Sequence, residues 1–324
     1  MNSNTNYLAT KFYKEILRIR NCELKISELY KEQEMRCPIH LCIGQEAVPV
    51  GISANLSSND KVFSNHRSHG HYLSKGGDMN AMIAEFYGRA TGCAAGKGGS
   101  QHLIDLECNF MGSAPILAST ISVAVGMAWA AQLNGSNEII VCYFGDGATE
   151  EGNFYESLNF AQLKSLNVLF VCENNLYSVH TKTRDRRPEG MSISNQVSTF
   201  GIGTNTCDGN DVIEIDVLSK KIVNKMREEP APHFIEAKTY RWLEHCGPND
   251  DSNLGYRTEE EINFWKTKDP LLKLRPLLDH EAQVKIDCEI DQEISAAFKF
   301  AKNSKYPQKS ELFTDVFPQN VVYS

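Results

Sequence analysis

Two apolar runs of strand length, each ending in an oxygen-bearing side chain, constrain this chain more than any other feature. Glu138–Phe144 (EIIVCYF) runs into Gly145-Asp146-Gly147, and Val168–Cys172 (VLFVC) runs into Glu173-Asn174-Asn175. Between them, residues 150–166 repeat Phe154, Leu158, Ala161 and Leu166 near one face, as a helix does. Strand, helix and strand of these lengths form a right-handed βαβ unit in a parallel sheet. A further strand, His233–Ala237, follows a helix over residues 212–228. Open parallel sheets bind ligands beyond the carboxyl ends of their strands. Neighbouring strands would therefore bring Asp146 and Asn175 to one point. A carboxylate, an amide oxygen and a nearby carbonyl suit magnesium, with positions left for phosphate oxygens. Gly145 and Gly147 let backbone approach a diphosphate, and the helix N-terminus beyond them favours an anion. Gly-Asp-Gly alone is often only a turn. Followed by Asn-Asn at the far side of a fitting βαβ unit, it is a specific signal.

The rest of the chain frames this unit. Leu8, Phe12, Ile16, Ile19, Ile26 and Tyr30 predict an amphipathic helical arm over residues 1–35. Residues 36–257 read as the α/β core, and 258–324 as a mainly helical tail broken near Pro270 and Pro276. The whole of 1–324 is expected to form one domain. Residues 118–133, uncharged and rich in Ala, Ser and Gly, predict a smooth helix either in the core or at a subunit contact. A formal charge of −8 gives no footprint for nucleic acid or anionic membrane. The run from Met1 to Tyr7 has no signal-peptide pattern, and no apolar run would span a bilayer. Ten cysteines without a C-x-x-C pair read as reduced, so a cytoplasmic location is expected. The Gly-rich run over residues 92–100 fails the spacing of a phosphate-binding P-loop. His180 reads as a solvated loop residue.

From Gly145-Asp146-Gly147 to Asn174-Asn175 the chain resembles the thiamine diphosphate signature. Around it, HLCIGQEAVPVG (40–51), HRSHGH (66–71), GRATGCAAGKGGSQH (88–102), GDGATEEGNFYESLNFA (145–161), CENNLYSVHT (172–181) and GYRTEEEI (255–262) are similar to alpha subunits of 2-oxo acid dehydrogenase E1 components of the pyruvate, acetoin and branched-chain type. The resemblance implies the thiamine diphosphate-binding α/β fold, a parallel sheet flanked by helices. It implies magnesium on Asp146, Asn175 and the main-chain carbonyl of Tyr177. Cofactor contacts are expected from Arg67, His66, Leu117, Gly145, Gly147 and Ala148, with His69 and His245 as catalytic residues at the substrate end. His66 stands where relatives commonly have Tyr, and Cys246 where mitochondrial relatives carry a phosphorylated serine. The carboxylate that activates the cofactor lies on a beta subunit in this family, so an α2β2 assembly is implied, with a lipoyl E2 as acyl acceptor. The implied activity is decarboxylation of a 2-oxo acid, pyruvate foremost. The alternative is an acetoin-cleaving enzyme or a two-subunit carboligase.

Overall fold

In the computed structural model, which describes residues 3–315, the sheet has six strands, all parallel. They are β1 (Lys61–Asn65), β2 (Phe110–Ala114), β3 (Ile140–Gly145), β4 (Val168–Asn174), β7 (Gly203–Asp208) and β8 (His233–Lys238), while β5 (Tyr177–Ser178) and β6 (Thr181–Lys182) form a separate small hairpin. The sheet order is β2-β1-β3-β4-β8-β7. The two strands expected to be neighbours are neighbours, in register from Ile140↔Val168 to Gly145↔Glu173. Every residue of β4 is buried, as in a parallel sheet covered on both faces. Alternate residues feed two separate cores. Val141, Tyr143, Leu169, Val171 and Ile235 face one side, and Cys142, Phe144, Phe170, Cys172 and Phe234 face the other.

Helices Ser119–Leu133 and Gly152–Leu163 cover the second side, packed on one another. The connecting helix starts at Gly152 rather than Glu150, because Asp146–Glu150 first wind into a 3-10 turn. The first side is closed partly by the chain's two ends. Helix Ser3–Tyr30 buries Phe12, Ile16, Ile19 and Ile26 and packs on helix His280–Asn303. Lys14–Glu289 and Arg18–Glu293, both at 2.7 Å, tie the pair at their solvent edge. Residues expected to form an arm thus pack into the core layer, because one apolar face of a long helix needs a partner. Residues 1–2 of that arm and 316–324 of the tail lie outside the described residues. Among the described residues no helix is long and apolar enough to cross a membrane. All ten cysteines are unpaired.

Candidate cofactor site at the carboxyl ends of the central strands

A cavity of about 250 Å³ opens at the ends of β1, β3 and β4. Asp146, first residue after β3, is 1% exposed and lines it. Asn175 follows β4 on the neighbouring strand. Its amide nitrogen donates to Gln45 Oε1 at 2.9 Å, and its oxygen accepts the Tyr177 amide at 3.2 Å. The Tyr177 N–H can only donate, so the atom facing it is Oδ1, which keeps a second lone pair for a ligand. Asn174 is used differently: it donates to the buried Glu236 at 2.8 Å and caps the turn at the Leu176 amide. The Tyr177 side chain turns away, donating to Glu261 at 2.7 Å and packing on Tyr240 and Tyr256, which leaves its main chain at the cavity. A Cβ on Gly145 would meet nothing within 4 Å, so the backbone there is open to a ligand. A Cβ on Gly147 would lie 2.7 Å from Ser178 Oγ, which makes that glycine a packing requirement.

Arg67 supplies the opposite charge. It follows β1, where its amide donates to Asn65 Oδ1 at 2.7 Å. The guanidinium is 5% exposed and bonds only main-chain carbonyls of Leu41 and His245 and, at 3.5 Å, His245 Nδ1. No carboxylate lies within ion-pair distance of it among the described residues. Burial, and then Arg241, hold its pKa down to about 10. A buried cation with no anion is costly unless a ligand provides one. Asp146 poses the converse problem, and here its carboxylate is met by the guanidinium of Arg186 and by Thr183 Oγ1 at 3.0 Å. That seat takes a cation. Both charges fit the implied groups: a diphosphate on Arg67 and a divalent ion on Asp146 and Asn175.

Around Arg67 stand three imidazoles. His40, His66 and His245 meet edge to face, with ring centroids 4.5, 5.0 and 5.5 Å apart, and all line the cavity. Burial first, and Arg67 second, push their pKa values down to about 2, 4 and 3 respectively. At neutral pH all three rings are uncharged. A guanidinium can only donate, so the Arg67 contact makes His245 Nδ1 an acceptor and leaves the proton on Nε2. These shifts have a consequence for stability. The unfolded chain takes up protons below about pH 6.5 that the folded chain refuses. Stability is therefore full above about 6.5 and is lost as pH falls toward 4 and below. Thermal midpoints measured from pH 8 to pH 4 should show that fall, and His66→Phe should flatten it; an unchanged slope would disprove the coupling.

His69 is not where the sequence reading puts it. It opens the short helix His69–Lys75 and is fully buried, with Nδ1 2.8 Å from Glu23 Oε1 and Nε2 2.7 Å from Ser100 Oγ. Its ring packs on Phe86 and is absent from the cavity wall. Two residues after Arg67 the chain has already turned into a helix, and the ring follows that helix into the core. Both nitrogens are occupied, so the residue ties the first helix to the Gly-rich loop. His69→Ala is expected to leave the Glu23 carboxylate short of a partner and to cost about 3 kcal/mol or more of stability. Denaturant unfolding measures it. A normal midpoint with lost turnover would instead restore a catalytic role.

Leu117 and Ala148 line the cavity, Leu117 being 42% exposed. His40, Gln45, Glu173 and Arg186 were missed by sequence reasoning. His40 and Gln45 sit inside the quoted run HLCIGQEAVPVG, where their residue types were visible but their direction was not. The Gly-rich run is explained by Glu85: its buried carboxylate accepts the amides of Ala94, Gly96, Gly98 and Gly99 at 2.7–2.9 Å. Those amides are spent on an internal anion and have none left for a phosphate. The segment after Arg241 is held by buried Arg241 and Arg257, which share Asp251 and grip the carbonyls of Leu243 and Trp242. His180 is exposed and lies over Tyr256.

One cavity of a parallel α/β sheet thus carries a buried carboxylate that holds a cation and a buried arginine with no carboxylate partner among the described residues. The chain belongs to the dehydrogenase E1 component family, whose model matches residues 14–310, and so to the thiamine diphosphate-dependent class its motifs resemble. It is 34% identical over 320 residues to the alpha subunit of acetoin:2,6-dichlorophenolindophenol oxidoreductase of Bacillus subtilis, covering 97% of this chain and 95% of that one. It is 35% identical over 313 residues to the pyruvate dehydrogenase E1 component subunit alpha of Rickettsia felis, covering 95% of each. The Zymomonas mobilis subunit of the same name is 36% identical over 313 residues, covering 94% of this chain and 87% of that protein.

Proposed function

We propose that the chain is the alpha subunit of a 2-oxo acid dehydrogenase E1, with pyruvate its foremost substrate, working with a beta subunit in an α2β2 assembly. The observation that carries the reading is that Arg67, which has no carboxylate partner among the described residues, and Asp146, which holds a cation, share one cavity. Asp146, Asn175 Oδ1 and the Tyr177 carbonyl would hold magnesium, and Arg67 with His66 would hold the diphosphate. Leu117 and the turn Gly145-Asp146-Gly147-Ala148 would shape the bed beneath the cofactor. When bound, thiamine diphosphate supplies the carbon nucleophile and electron sink that decarboxylation needs. His245 presents its Nε2 proton to the substrate's oxygen, and His40 braces that ring from the side. We assign catalysis in this chain to His245 and give His69 a structural role.

A beta subunit is supported by the outer face of helix Ser119–Leu133. Val123, Trp129 and Leu133 are exposed there, Ile116 just before it is too, and a Cβ on Gly126 would meet nothing. Such a face, beginning beside Leu117 at the cavity, suits burial against another subunit. A lipoyl E2 would then accept the acyl group. We take 1–324 as one cofactor-binding domain and place it in the cytoplasm, in keeping with ten unpaired cysteines. Acetoin cleavage remains the second reading, favoured by the Bacillus relative's equal likeness. The test is decarboxylation by the chain with and without its beta subunit, using an artificial electron acceptor and pyruvate, branched 2-oxo acids and acetoin. Turnover of pyruvate only by the pair is expected. Robust turnover by the pure chain would refute the need for a beta subunit, and turnover of acetoin alone would select the second reading.

A further inference from the structure

Three imidazoles on one cavity wall are more than a single proton donor needs. His40, His66 and His245 come from three separate segments, and one ring nitrogen of each lies within 4.8 Å of the others. The backbone ties these segments together. His40 pairs with Gly247 in a parallel bridge, and the Gly247 amide donates to the Ile39 carbonyl at 2.8 Å. Arg67, which follows His66, grips the carbonyls of Leu41 and His245. The Gln101 side chain meets His40 Nδ1 at 3.3 Å, an outer contact of the kind that orients a ligating imidazole. His40 is buried and the other two are partly buried. His66 completes the set, standing where relatives commonly have Tyr; a phenol there would leave only two imidazoles.

We propose that His40, His66 and His245 form a second metal site, for a divalent ion of the zinc type, chemically distinct from the oxygen-lined seat at Asp146. The donor atoms select the ion. Neutral imidazole nitrogens suit zinc, cobalt and copper, whereas magnesium takes hard oxygens. A tetrahedral zinc with bonds of about 2.0–2.1 Å needs nitrogens about 3.3 Å apart, so ring rotations closing at most about 1.5 Å complete the set. The rings are uncharged at neutral pH, so no protons have to be driven off. Zinc on His245 Nε2 shifts that ring's proton to Nδ1 and gives up the 3.5 Å contact with Arg67. The 3.1 Å bond from Arg67 to the His245 carbonyl is untouched. Arg67 opposes a bare dication, so the fourth position takes a hydroxide or other anion from the cavity. The ion then holds the nitrogen by which His245 is proposed to serve the substrate. Zinc is therefore an inhibitor of turnover; that consequence rests on the proposed role of His245, while metal binding itself does not.

Co²⁺ is the first probe, since its visible absorption is strong in a tetrahedral nitrogen site and weak in an octahedral oxygen one. The full chain is titrated with Co²⁺ in the presence of excess Mg²⁺, and Zn²⁺ is then added to displace it. The wild type is expected to give the tetrahedral spectrum with one ion per chain. H66F and H66Y should each lose at least about 100-fold in affinity, beyond the roughly 10–100-fold that follows loss of an outer contact alone. C246S, which removes the exposed thiol next to His245, should bind as the wild type does. A second reading needs no variant: Zn²⁺ should shift the ring ¹⁵N signals of His40, His66 and His245 together and leave those of His69 and His71 in place. No tetrahedral spectrum, one kept in both His66 variants, or one lost in C246S would overturn the site. Turnover by the α/β pair that persists at saturating Zn²⁺, with the three ring signals shifted, would confirm the metal site and refute the proposed role of His245.

Discussion

Asp146→Ala is expected to remove magnesium-dependent binding of thiamine diphosphate, raising its dissociation constant by roughly a thousandfold or more. The expectation follows from how few ligands the site has. Asp146 is the one carboxylate of the proposed set, and the other two are neutral oxygens from Asn175 and the Tyr177 main chain. Losing it removes the ion's only charged protein ligand and strands Arg186 beside an empty carboxylate position. Asn175→Ala should act in the same direction and less strongly, and it also deprives Gln45 of its partner. Calorimetric titration of the α/β complex with cofactor, at fixed magnesium, measures both. Near-normal affinity in the two variants would exclude magnesium at this seat.

His245→Ala is expected to lower turnover by about 10²–10⁴-fold, the range for losing a positioned proton donor. Its ring is held by Arg67 on one edge and by His40 and His66 on its sides, so Nε2 is the atom left for the substrate. Arg67→Ala should behave differently, weakening cofactor binding first, with part of the turnover returning at excess thiamine diphosphate. The two are separated by titrating cofactor while following decarboxylation with an artificial electron acceptor. Full rescue of His245→Ala by excess cofactor would make that histidine an anchor for the diphosphate instead.

Much of the candidate site was legible because its signals are local. Apolar runs of strand length, a helix between them, and Asp146 and Asn175 at the two ends follow from periodicity and spacing within one stretch of chain. Parallel neighbours in register then bring those two side chains together without further information. His69 failed for a reason of the same scale. The family resemblance implied a place at the substrate end, but the helix that starts at His69 turns its ring toward Glu23 and Ser100.

By itself, then, the sequence determined the kind of fold, the central βαβ unit and the two oxygen-bearing side chains at its strand ends, since each is set by residues close together along the chain. Tertiary structure alone decided the rest. It brought His40, His66 and His245 into one cluster, spent the glycine-rich amides on Glu85, bonded Asn175 to Gln45 and placed Arg186 on Asp146. Those contacts join segments far apart in sequence, and side-chain direction there is set by what packs against each element, which no local pattern records.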